Sequence, residues 1–389
     1  MDLYILDPLL RRQEVVDQYE SLIWTDRWNS HGDFELDLKS TLANRGRFLI
    51  DTKLAIPDSN EVMVVEETED MTDSDGKEIL RVKGRTLTTI LENRVAKRSM
   101  DSLEDDPAWV LTGTPGDVVR EMFDHICRSP YALSDFDGIP FLQSGTIFDL
   151  GNIPEPSEAI TVEQRPTSLY DAIRKLCRLY DLGFRLVKNG DTSELYFEVY
   201  TGNDRTTRQS VLSAVIFSAS LDSVQNTSEF HSSKKAKNVA YVFSNYGSMT
   251  VYADDVDPDV SGFERRVIFV ETRPDNPDMA VVNAAMEQAG KEALADARKE
   301  SLFDGEVNEY AGYIYREDYG LGDLVEMRNR DGVVTYKRVT EHIFVSDQNG
   351  DRSYPTLAMD EFAGEVTWLS WANQEHTWSD FTDEVWADF

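Results

Sequence analysis

The stretch WTDRWNSHGDFELDL, Trp24 to Leu38, places His31, Gly32 and Asp33 side by side. A histidine next to an aspartate is the start of a nucleophilic triad, provided the fold brings a nucleophile to the imidazole. No G-x-S-x-G elbow occurs anywhere in the chain. Gly32 is followed by Phe34, Leu36 and Leu38 alternating with Glu35 and Asp37. That period of two describes a strand with one wet face. His31-Gly32-Asp33 is therefore read as the bend that feeds a strand.

The other chemical candidates are weaker. Asp73-Ser74-Asp75-Gly76 hints at a calcium loop, but Met71 and Val82 stand where an EF-hand needs acids. It reads as a hairpin turn. The five histidines (His31, His125, His231, His342, His376) are scattered and form no H-E-x-x-H. Cys127 and Cys177 each fall near the apolar face of an expected helix, which suggests buried free thiols. Gly320-Leu321-Gly322 lacks a third glycine and opens no helix, so it is no nucleotide loop. Lys234 to Lys237, KKAK, reads as a solvated turn. Carboxylates are so abundant that no glycosidase pair stands out. No catalytic residue, cofactor site or metal site is assigned.

The last stretch differs. TWLSWANQEHTWSDFTDEVWADF holds four of the seven tryptophans. At about 100° per residue, Trp368, Trp371, Trp378, Phe381, Trp386 and Phe389 fall within an arc of roughly 140°. A Trp stripe between acids suits a helix-in-groove anchor, and these six residues are the expected partner-docking set. The alternatives are packing on the chain's own body and a carbohydrate platform.

Bulk properties frame these candidates. The 389 residues carry 39 Lys plus Arg against 72 Asp plus Glu, a net charge of −33. A surface so acidic repels phosphate, so specific nucleic-acid binding is not expected. With 41% hydrophobic and 29% charged residues the chain should be globular. Charged residues early in the sequence leave no room for a standard signal peptide. No apolar run reaches the ~18 residues that span a bilayer.

Three regions precede the aromatic segment. Residues 1–100 read as β, including a hairpin around Asp73–Gly76. Residues 101–205 read as a small α+β unit. In it, Thr114-Pro115 opens one helix, while Thr167 or Ser168 opens a second that Gly183 stops. A hairpin over FRLVKNGDTSELYFEVY follows, and residues 149–166 form a connecting loop. Residues 206–362 return to β, interrupted by a long helix near 277–301 and ending in three strands with turns at 329–332 and 347–350. Residues 363–389 are the acidic, aromatic docking segment. The fold class is α+β, mainly β: two barrel-like β domains around an α+β insert.

Four stretches carry a resemblance. LYILDPLLRRQEVVDQYESLIWTDRWNSHGDFELDL, LRVKGRTLTTILENRV, SLYDAIRKLCRLYDLGFRL and YGLGDLVEM with RVTEHIF, in that order, are similar to the tail-hub proteins of long-tailed phages of actinobacteria and Gram-positive hosts. That family is related in fold to contractile-tail baseplate hubs and to the N-terminal part of tail-associated lysins. The resemblance covers about residues 1–362. It implies a homotrimeric ring in the virion's tail tip, made in the host cytoplasm, in which two barrel-like domains per subunit give pseudo-sixfold symmetry. Such a ring caps the tail tube below the distal tail protein and adapts sixfold to threefold symmetry. It carries tip or fibre proteins, touches the tape-measure protein and lets DNA pass. The lysins continue into an enzymatic domain; here about 27 residues follow the last expected strand. A non-enzymatic role is therefore expected, with a receptor-binding or carbohydrate-binding protein and a cell-wall hydrolase as alternatives.

Overall fold

A computed structural model describes residues 1–72, 76–102, 108–128, 137–218, 223–253, 256–274, 277–307, 313–328 and 334–359. The chain opens with strands β1 (Leu3–Leu6), β2 (Arg12–Val16), β3 (Ser21–Arg27) and β4 (Asp33–Lys39). Helix α1 (Leu42–Arg47) and strands β5 (Lys53–Ala55), β6 (Met63–Thr72) and β7 (Glu78–Thr86) follow, then a 3-10 helix over Leu87–Asn93. In β4 the alternation seen in the sequence is real: Phe34, Leu36 and Leu38 are buried with Trp24, Leu80 and Val82.

The middle region contains β8 (Trp109–Gly113), α2 (Pro115–Phe123), a π-helical turn over Asp124–Arg128, β9 (Leu142–Gln143), β10 (Ile160–Gln164), α3 (Leu169–Leu179), β11 (Gly183–Lys188) and β12 (Leu195–Tyr200). The Thr114 hydroxyl caps α2 by accepting from the Asp117 N–H at 3.3 Å, and Pro115 takes the first turn, where it sacrifices no helical hydrogen bond. Ser168 caps α3 in the same way. The apolar faces of the two helices meet over β11 and β12, burying Met122, Phe123, Ile173, Leu176, Phe184 and Phe197. Phe123 stacks on Phe197 with ring centroids 3.7 Å apart. Two details differ from the sequence reading. Residues 160–164, expected in a loop, pair antiparallel with β8. Gly183 does not stop α3: the helix caps at Tyr180, Asp181 takes the positive φ, and Gly183 begins β11.

The last region runs β13 (Ile216–Ser218), β14 (Val224–Ser232), β15 (Val239–Ser244), β16 (Gly247–Tyr252), β17 (Val267–Glu271), α4 (Met279–Asp296), β18 (Glu300–Val307), β19 (Leu324–Arg328), β20 (Val334–Asp347) and β21 (Gly350–Met359). Helix α4 covers one face of the small sheet β16-β15-β17 and buries Ala240, Val242, Val251, Val282, Met286 and Leu294.

The protein is mainly β, 40% strand and 19% helix, and among the described residues its several sheets stay open rather than closing into barrels. Strands from both ends of the sequence share one 13-stranded sheet, ordered β14-β18-β21-β20-β3-β4-β7-β6-β5-β1-β2, with β19 and β13 attached beside β20. The length of β20 makes this possible. Its first residues, Val334–Arg338, pair with β19; its last, Glu341–Asp347, pair with β3. The change of partner falls at Val339–Glu341, where the ladder to β21 also shifts register. A register shift of this kind bends a strand and re-aims it.

Candidate functional site

The change of partner in β20 meets the residues just after β3. The Trp28 N–H donates to the Thr340 carbonyl at 2.9 Å, and the Trp28 carbonyl accepts from the Phe184 N–H at 3.2 Å. One buried tryptophan thus touches the first strands, the middle hairpin and the last strands. The Arg338 guanidinium sits 4.5 Å from its ring, a desolvated cation–π contact, and donates to the carbonyls of Thr201 and Gly322 at 3.0 and 2.7 Å. Two glycines admit the indole edge. A Cβ at Gly183 would lie 2.2 Å from Trp28 Nε1, and one at Gly322 2.7 Å. Gly322 also holds φ at +85°, which suits glycine.

Beside this joint lies a buried cluster of titratable groups. Asp26 Oδ1 accepts from the Trp24 indole N–H at 3.0 Å and the Ser59 hydroxyl at 2.9 Å. Ser59 Oγ accepts from the Glu61 backbone N–H at 3.1 Å. His342 stands directly opposite Asp26 in the β3–β20 ladder and stacks on Tyr315, ring centroids 3.8 Å apart. From the middle region, Arg185 donates to Glu198 at 2.8 Å and lies 4.3 Å from the Tyr200 ring. Burial governs the protonation here, because the charged forms lose water. It raises Asp26 to about 6, against the two hydrogen bonds that favour the carboxylate. It holds Glu61 well above the usual carboxylate range, helped by the Asp26 charge. It pushes His342 down to about 3. Paired acids of this kind occur in hydrolases, but Asp26, Glu61 and His342 are all under one-tenth exposed. They join parts of the fold rather than face a substrate.

His31 ends in a more suggestive arrangement. Its Nδ1 is 3.0 Å from the Thr88 hydroxyl and its Nε2 2.9 Å from Glu92 Oε1. Hydroxyl, imidazole and carboxylate stand in the order of a triad. Glu92 is exposed, but the hydroxyl and the imidazole are shut in. Thr88 and His31 are buried, the Thr86 hydroxyl lies 2.6 Å from that of Thr88, and Tyr170 stacks on the imidazole at 3.8 Å. Burial lowers His31 to about 4, although Glu92 pulls the other way. The imidazole is therefore uncharged near neutrality and a weaker base than a free histidine. The Tyr170 hydroxyl accepts from the His31 N–H at 3.2 Å, so the bend is fastened to α3.

The remaining sequence candidates are dispersed. His125 faces the Arg98 carbonyl at 2.8 Å, and His231 is exposed on β14. Both cysteines are buried free thiols, and burial pushes Cys127 up to about 12. Lys234 and Lys235 are exposed before β15. The Asp73–Asp75 turn lies outside the described residues, as do His376 and the whole docking set Trp368, Trp371, Trp378, Phe381, Trp386 and Phe389. Among the described residues, no group of His, Cys, Asp or Glu could hold a metal ion, and no helix is long and apolar enough to cross a membrane. Sequence reading missed Asp26, Glu61 and Arg338. Each lies in a strand-like or loop stretch where a lone charged residue normally faces water, and the only hint was Trp24 and Trp28 flanking Asp26.

The family model for the Siphovirus ReqiPepy6 Gp37-like protein matches residues 2–357. The chain belongs to that family. No curated protein matches the Gp37-like chain in sequence. Its fold is similar to that of the tail protein from Neisseria meningitidis MC58, with a TM-score of 0.54, 13% identity, and 93% of this chain and 97% of that one covered. It is also similar to the 43 kDa tail protein of prophage MuSo2 from Shewanella oneidensis, with a TM-score of 0.54, 11% identity, and 94% and 100% covered. The Gp37-like chain is thus a siphovirus-family protein with the fold of phage tail proteins.

Proposed function

We propose that this Gp37-like protein is a structural subunit of the tail tip of a long-tailed phage. It assembles as a homotrimeric ring that caps the tail tube beneath the distal tail protein. Residues 1–100 and 206–362 supply the two quasi-equivalent β portions that convert sixfold into threefold symmetry, with residues 101–205 as the insert. Residues 363–389 form a docking segment for a neighbouring tail component, and tip or fibre proteins and the tape-measure protein are its other neighbours. The ring performs no covalent chemistry.

The observation that carries this reading is a fold shared with phage tail proteins over nearly the whole chain. Two features support it. The paired acids, and the hydroxyl and imidazole of the triad-like arrangement, are buried and join segments of the fold. The charge of −33 would let DNA transit a lumen without being held, since phosphate is repelled by carboxylates.

Native mass spectrometry of the purified chain, alone and with the distal tail protein, tests the assembly. A trimer is expected. A monomer under both conditions, or a density map placing the chain away from the distal end of the tail, refutes it. Deleting residues 364–389 should leave the ring intact and weaken its capture of the neighbouring component.

A further inference from the structure

The face of the small sheet that turns away from α4 is apolar and open. On it lie Tyr241 and Phe243 of β15 and Phe269 of β17, with Tyr241 directly opposite Phe269 in the parallel ladder. Phe243 and Phe269 stack with centroids 5.5 Å apart, yet remain 44% and 66% exposed. Phe263, in the turn leading to β17, is fully exposed. One cation crosses the face: the Arg265 guanidinium is 5.7 Å from both the Tyr241 and Tyr252 rings and donates to the Tyr241 hydroxyl at 3.3 Å. The acid on this face, Glu271, is bound by Arg273 at 2.6 Å. Arg265 is steadied from the loop side, where it donates to the Val260 carbonyl at 3.0 Å, and contiguous apolar surface of this kind marks an interaction site.

The sequence contains a segment of matching chemistry. Residues 364–389 carry the aromatic set from Trp368 to Phe389 together with Glu365, Glu375, Asp380, Asp383, Glu384 and Asp388, and no Lys or Arg. They lie outside the described residues. The nine residues from Met359 at the end of β21 to Trp368 can span about 30 Å at roughly 3.3 Å each. We propose that the outer face of β15 and β17 is the receptor for residues 364–389 of this chain, with Tyr241, Phe243 and Phe269 taking the aromatic side chains and Arg265 a carboxylate. Aromatic anchors in an apolar seat, with a charge-assisted pair beside them, are the usual composition of a tight docking contact. The inference rests on the docking segment of the preceding section: in the free chain the segment occupies this face, and a neighbouring tail component takes it by displacing that contact.

Site-directed photo-crosslinking of the full-length chain tests this. With p-benzoylphenylalanine in place of Phe269, crosslinked peptides should map to residues 364–389. The same probe in place of Leu42, exposed on α1, should give at least tenfold fewer such products. Arg265→Glu or Phe243→Ser should lower the yield from position 269 at least fivefold, and a synthetic peptide of residues 364–389 should compete. Both substituted side chains lie outside the core, so the fold is retained, which circular dichroism verifies. Crosslinks from position 269 to any other region, including the folded body of a second copy, overturn the inference. So does a yield unaffected by Arg265→Glu and Phe243→Ser. Native mass spectrometry on the same samples separates the two claims. A trimer without the crosslink rejects the receptor and keeps the ring; a monomer with it does the reverse.

Discussion

Replacing Asp26 by Asn should stabilise this protein, and the gain should grow with pH. Asp26 is buried at the junction of β3 and β20, and its Oδ1 accepts from Trp24 and Ser59. An amide keeps that oxygen as an acceptor and removes the ionisable proton. The folded carboxyl titrates at about 6 against an ordinary 3.8, because burial disfavours the anion. Folding therefore holds the proton more tightly than the unfolded chain does. An acid raised in this way costs nothing well below pH 3.8, and the cost grows through the window up to pH 6 and is complete above it. Linkage makes the cost small at pH 4, larger at pH 5 and complete, on the order of 3 kcal/mol, at pH 8. The variant should gain those amounts, on the order of 5 °C in midpoint at pH 8 for a chain of this size. Urea or thermal denaturation of both proteins at the three pH values measures the difference, which cancels the titration of buried acids away from Asp26, such as Asp323 on the turn before β19, while Glu61, freed of the Asp26 charge in the variant, adds to the gain. A variant less stable than the parent at pH 8 would refute the reasoning, because it would mean that Asp26 works as an anion held by Arg316 or Arg185.

Three further outcomes follow from the same joint and its surroundings. Gly183→Ala drives a methyl to within 2.2 Å of Trp28 Nε1, and should cost about 1–3 kcal/mol in urea unfolding, as overpacked cores do. His342→Phe keeps the stack on Tyr315 and removes a buried imidazole lowered to about 3. A base lowered in this way loses stability as pH falls below 6.5, so the variant should escape up to about 3 kcal/mol of acid destabilisation by pH 4, read as a shallower loss of midpoint between pH 7 and pH 4. Cys127 and Cys177 are buried with their thiols held protonated, so neither should react with a thiol reagent in the native protein and both should react in urea.

Much of the local structure was legible in the sequence because it is driven by local chemistry. The strand after Gly32, the capped starts of α2 and α3, and the β20–β21 turn over 347–350 depend on periodicity, capping side chains and turn residues lying within a few positions of one another. The bend reading of His31-Gly32-Asp33 holds for the same reason, although the near-triad with Thr88 and Glu92 could not be foreseen: the imidazole and its two partners come from segments 57 and 61 positions apart. Long-range features were hidden. Nothing in VTYKRVTEHIFVSD says that one half of the strand will pair with β19 and the other half with β3. Gly183 looked like a helix stop, since an isolated glycine after an apolar stripe usually is one; its actual role depends on an indole more than 150 positions earlier. Asp26 and Glu61 look like ordinary surface acids until the strands around them close.

The β3–β20 ladder also sets a timetable. Arg27 finds Glu341, at 2.5 Å, across a sequence separation of 314 residues. At roughly 5–20 residues per second of synthesis, the bare rim of β3 waits about 15–60 s for its mate. A polypeptide cut short before residue 341 keeps that rim unsatisfied and leaves Trp28 without its Thr340 acceptor. Such a bare strand rim can pair with other chains, so the first region keeps an adhesive edge until β20 has been made.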